Sequence, residues 1–179
     1  MAGCRFRTIG NGACGTALPG RLSRLQAIHP HRSGQRNSSR IARYRGDLLT
    51  ASELTGVCLR QFREMGERRA EAVSLGELGQ LALLRGDLDE ATSRLLEAGT
   101  RHLELRDELN LSRCVEGMAI AALAMHQAQV TARLAGAATA WRERTGSTRT
   151  HPERDALESA IREARASAPD AFDAGWRAG

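Results

Sequence analysis

The sequence predicts an all-α fold: a solenoid of stacked helix pairs with a 40-residue period, closed by a C-terminal capping helix. Three observations predict it. First, one constant offset relates distant segments. Arg45-Gly46-Asp47-Leu48 recurs 40 positions on as Arg85-Gly86-Asp87-Leu88, and Ala51 recurs as Ala91. Met65-Gly66-Glu67 recurs as Leu105-Arg106-Asp107 and again as Thr145-Gly146-Ser147. A period between 20 and 50 residues marks stacked supersecondary units. Second, the apolar residues within each unit recur at three and four, the helical spacing. Third, aromatics make up only 3% of the chain and β-branched runs are absent, which argues against a sandwich or barrel.

The first 46 of the 179 residues stand apart. They hold nine arginines and no carboxylate; the first acid is Asp47. All 26 basic residues are arginine, so the remainder carries 17 against 21 acids, a net charge of −4. The overall +5 therefore belongs to the N-terminal segment. Residues 1–40 are rich in Gly, Ser and Arg and lack periodicity, which predicts a basic disordered arm preceding a helical-repeat domain over 41–179. Such an arm offers weak nucleic-acid binding through phosphates. Gly10-Asn11-Gly12-Ala13-Cys14-Gly15 reads as GxGxxG, but no acid follows at the needed distance and Pro19-Gly20 would break the helix.

The helices follow in order. Asp47 to Met65 presents Leu54, Cys58 and Phe62 on one face. Only Arg40 to Tyr44 offers a helix to cover it, so the stack is expected to begin mid-repeat, with an apolar face open to self-association near Leu54 and Phe62. Arg69 to Leu84 carries the stripe Leu75, Leu78, Gly79, Ala82 and Leu83. Gly86 ends it, and Asp87 caps the next helix with Glu90 at capping-box spacing. That helix buries Leu88, Ala91, Leu95 and Ala98. The pair repeats as Glu108 to Met125 and Ala128 to Arg144, except that His126 replaces the turn glycine and predicts a different turn there. Gly79, Ala91 and Ala98, then Ala119, Thr131 and Ala138, are small where helices must cross closely. Residues 150–179 form the cap, with a stripe of Leu157, Ile161 and Ala164 and a final pair of Phe172 and Trp176.

No residue constellation indicates catalysis. Cys4, Cys14, Cys58 and Cys114 form no CxxC, and the five histidines form no zinc-spaced cluster. Glu67, Glu71, Glu77, Glu90, Glu97, Glu104 and Glu108 are read as solvated helix charge. No stretch approaches a membrane span and no apolar leader is present, so the reading is cytoplasmic, without membrane, metal or cofactor.

Leu78-Gly79, Ala82, Ala91, Leu95 and Ala98 have the spacings of the tetratricopeptide pattern. Tyr44-Arg45-Gly46-Asp47-Leu48, Arg85-Gly86-Asp87-Leu88-Asp89-Glu90-Ala91, Arg133-Leu134-Ala135-Gly136-Ala137-Ala138 and the ending Ala171-Phe172-Asp173-Ala174-Gly175-Trp176 go further. With them, residues 45–179 resemble the C-terminal repeat region of MalT-like and AfsR-like signal-transducing ATPases and LuxR-type transcriptional regulators. The resemblance implies a non-catalytic sensor region, a fragment of a larger regulator whose ATPase and DNA-reading modules are not in this sequence. The lysine-free chain holds no Walker A motif. It also implies a groove lined by first helices, with Gly76, Gln80, Arg113, Glu116 and Ile120 facing a protein or small effector. A stand-alone repeat adaptor is the alternative within the same class.

Overall fold

The computed structural model describes residues 32–149 and 151–179. Among them are eight helices and no strand: α1 Arg32–Tyr44, α2 Leu48–Glu64, α3 Arg68–Arg85, α4 Leu88–Glu104, α5 Glu108–Ala124, α6 Ala128–Thr145, α7 His151–Ser167 and α8 Pro169–Ala178. The glycine-rich motif at 10–15 and the arginines before Arg32 lie outside the described residues. No helix among the described residues is long and apolar enough to cross a membrane.

The turns expose a finer step than the 40-residue repeat. Residues 46, 66, 86, 106, 126 and 146 all have positive φ. At each, the following N–H donates to the carbonyl five residues back: Asp47 to Ala42, Glu67 to Phe62, Asp87 to Ala82, Asp107 to His102, Gln127 to Ala122 and Ser147 to Arg142, at 2.9–3.1 Å. This is the Schellman closure, which satisfies carbonyls left over at a helix end. At five of the six turns that same residue starts the next helix, its carbonyl accepting from the residue four on. Asp47, Asp87 and Asp107 add a side-chain cap, accepting from the N–H of Thr50, Glu90 and Asn110. Glu90 does not complete the capping box. Its carboxylate turns to Arg85 Nη2 at 2.6 Å. One residue thus closes one helix and opens the next, and helix starts fall 20 residues apart.

Two expectations are corrected here. His126 keeps the standard turn, with φ 60, and Arg106 does the same with φ 52. The hydrogen bonds of the closure override the cost of a side chain in the left-handed region. The face of α2 is not open either. Leu54 and Phe62 are buried, because α1 reaches back to Arg32. Ser39 Oγ bonds Thr55 Oγ1 at 2.6 Å, and Ala42 packs with Ala51 and Leu81. Serine and alanine make this contact, so no large-residue stripe announces the helix.

Each helix packs on its neighbour in sequence; α3 also touches α5, and α5 touches α7. The core runs as four small clusters. Leu59, Leu75, Leu78, Leu95, Ala98 and Cys114 join α2 to α5, and Ala119, Ala135 and Leu157 join α5 to α7. Small residues set the crossings as expected: a Cβ on Gly79 would lie 2.7 Å from Leu95 Cγ. Ala91, Ala98, Ala119, Thr131 and Ala138 are fully buried. Phe172 and Trp176 stack with centroids 5.6 Å apart. Helix α8 lies close on α6, where a Cβ at Gly175 would fall on the Gln129 carbonyl oxygen.

Candidate functional site

Helices α3 and α5 form the middle of the face on which the groove was expected. A cleft between them is lined by Gly76, Gln80, Arg113, Glu77, His102, Asn110 and Cys114, among others. Its volume is about 20 Å³, room for one water and no more. Gly76 leaves the space: a Cβ there would stand 3.7 Å from Cys114 Sγ. Gln80 spans the cleft, its Nε2 donating to the Arg113 carbonyl at 3.4 Å. Three of the five sequence-predicted groove residues, Gly76, Gln80 and Arg113, therefore meet in one place.

The other two do not join them. Glu116 is 5% exposed and turned toward α6. It accepts from Arg142 Nε at 2.6 Å and Nη2 at 2.9 Å, and from Arg149 Nε at 2.7 Å. Arg142 also donates to the Thr148 carbonyl. Two guanidinium groups saturate this carboxylate and pin the chain after α6, which leaves it no part in a groove. Ile120 is half-buried and does not line the cleft.

Arg113 belongs to a ladder that crosses the stack. Arg43 on α1 stands 3.5 Å from Glu77 on α3. Glu77 stands 3.6 Å from Arg113 on α5, and Arg113 stands 3.0 Å from Glu153 on α7. Cation and anion alternate through the first helix of every pair, each side chain half-buried. Sequence reasoning placed Glu77 on a solvated face, and the 34- and 36-residue spacings of Arg43, Glu77 and Arg113 fall off the 40-residue register. Glu71 departs likewise: it is buried and paired with Arg63 at 2.8 Å and Arg101 at 3.0 Å.

His102 forms the floor. It is 1% exposed, with Nδ1 3.5 Å from Asp107 Oδ2 and no hydrogen-bond partner on that nitrogen. Burial is the main influence and lowers its pKa below the usual 6.5, against the attraction of Asp107 and a backbone bond at Ala72. Burial of Asp107 is outweighed by hydrogen bonds from the Asn110 side chain and backbone and by the nearby His102 and Arg69, which hold its carboxyl below its usual range. Cys114 lines the same cleft as His102. Burial pushes its thiol up to about 12, so it stays protonated and packs as a small hydrophobe. Among the described residues, no group of three or more His, Cys, Asp or Glu side chains could hold a metal ion.

No protein-family model, no curated protein and no solved structure matches the chain.

Proposed function

We propose that the chain is a non-catalytic recognition scaffold of the tetratricopeptide-like, α-solenoid kind, which receives a protein segment across the face shared by α1, α3, α5 and α7. The observation that carries this reading is the Arg43, Glu77, Arg113, Glu153 ladder. Alternating charges along one side of consecutive helix pairs form an extended polar track suited to an elongated partner. A cleft of about 20 Å³ is too small to enclose an organic effector, which favours a protein over the small ligand. The sequence resemblance supports placing such a scaffold in a LuxR-type or AfsR-like regulator, where occupancy would bias the state of a partner module by differential affinity.

The test is a peptide array of extended 12-residue sequences probed with the full chain. Binders are expected to lose at least tenfold in affinity on Arg113→Glu and on Gln80→Ala, and to be indifferent to Glu90→Gln on another surface. An array with no binder sensitive to Arg113 or Gln80 removes the reading.

The acid-free segment ahead of Asp47, with its nine arginines, favours a second reading, nucleic-acid binding by the arm. Its signature is affinity for a duplex that falls steeply between two salt concentrations and disappears on removal of residues 1–31.

A further inference from the structure

The two ends of the helical stack are finished differently. Helix α7 turns Arg154, Asp155, Glu158, Arg162, Glu163 and Arg165 outward, three cations and three anions, a neutral polar face with no large apolar residue exposed. Among the described residues, helix α1 ends the other side, with Ile41 half-exposed and Tyr44 beside it. The register shows what Ile41 is. Counting in steps of 40, it corresponds to Leu81 and Ala121, both buried. Leu81 is covered by the preceding pair, against Ala42 on α1 and Ala51 and Leu48 on α2. Position 41 is thus the place where a pair receives its predecessor, and on α1 it is open. Tyr44 is not diagnostic in the same way, since Leu84 in its register is exposed too.

Charge decides what fits there. Helix α1 contains four arginines and no carboxylate, and Arg40 and Arg45 flank Ile41 in solvent. A second α1 would bring arginine against arginine. Residues 1–31 hold four more arginines and no acid, so their charge does not complement this face. The polar end at α7 has no exposed large apolar residue to offer. We propose that the Ile41 face of α1 is a docking surface for an acid-rich amphipathic helix of a partner protein, seated as α2 seats on Leu81.

The test uses the full chain and an mRNA-display library of 18-residue amphipathic helices whose outer positions are randomised over Glu, Gln and Lys. The expected pool is enriched in Glu. Its binders lose at least tenfold in affinity on Ile41→Asp, lose affinity on Arg40→Glu, which leaves the apolar contact intact, and are indifferent to Arg113→Glu. Circular dichroism of each variant should match the parent. A neutral or Lys-rich pool, or binding indifferent to Ile41, overturns the proposal. So does a concentration-dependent dimer in sedimentation equilibrium that Ile41→Asp abolishes, which gives the face to a second copy. Duplex DNA binding lost on Arg40→Glu but kept on Ile41→Asp gives it to nucleic acid and overturns the proposal equally.

Discussion

His126 and Arg106 occupy a backbone region that costs a side chain about 1–2 kcal/mol. Their turns are otherwise the same as those at Gly46, Gly66 and Gly86. Replacing either with glycine should relieve that strain, less some unfolded-state entropy, for a net gain of about 0.5–1 kcal/mol. Denaturant melts of His126→Gly and Arg106→Gly check this; a loss of stability contradicts it. Glu116 works in the opposite direction. Glu116→Gln leaves the buried Arg142 and the partly buried Arg149 without their anion. The expected loss is about 3–5 kcal/mol, read from the same melts. His102 gives a pH dependence. Its folded pKa lies below 6.5, so the unfolded chain takes up the proton first as pH falls. Its contribution is present above about pH 6.5 and is lost on acidification below that. Asp107, also depressed, adds a second loss below about pH 3.8. Stability measured from pH 8 to 4 should slope less in His102→Gln than in the parent; equal slopes remove His102 from the account.

At the scale of the element, α8 is the most exposed to single changes. It is 10 residues long and holds to α6 through Gly175 against Gln129 and through Trp176 lying over Gly136. A methyl group at Gly175 meets backbone, which cannot swing aside as a side chain would. Gly175→Ala should therefore lift α8 from α6, at a cost of about 1–3 kcal/mol. In a Trp141→Phe background, Trp176 emission should shift to the red. Unchanged emission would show that α6 and α8 yield more easily than their contact implies. Gly79→Ala is expected to be milder, because the atoms it meets belong chiefly to the Leu95 side chain.

For the whole molecule, the ladder adds charged links between first helices to the direct packing of α3 on α5 and of α5 on α7. Its side chains are 23–30% exposed and still within reach of solvent, so each link contributes modestly, roughly 0.2–1 kcal/mol. A double-mutant cycle on Glu77→Ala and Arg113→Ala should show coupling of about 0.5 kcal/mol that falls in high salt. Zero coupling at low salt would make the ladder a by-product of helix spacing. The terminal faces matter at the same scale. Among the described residues, α7 ends in balanced charge, whereas α1 ends in Ile41 beside exposed arginines, and the proposed docking rests on that difference.

How much was legible in the chain itself follows a physical line. Helix type, the pair repeat, Asp87 as a cap and the small residues at Gly79, Ala91 and Ala98 are local or periodic features, and periodicity survives without coordinates. The 20-residue step was half-hidden because a hydrogen-bonded closure tolerates Arg106 and His126 where glycine is the recognisable mark. Helix α1 was hidden because serine and alanine make its contacts, and burial of small residues leaves little hydrophobic signal. The destinations of long charged side chains were not legible at all. Glu77 joins a ladder, Glu71 a buried pair and Glu116 two arginines on a later helix and loop. Repeat position determined which helix each residue rides on. Only the tertiary fold decided which guanidinium came within 4 Å of it, because a flexible four- or five-bond side chain reaches across register and the winning partner depends on how the helices stack.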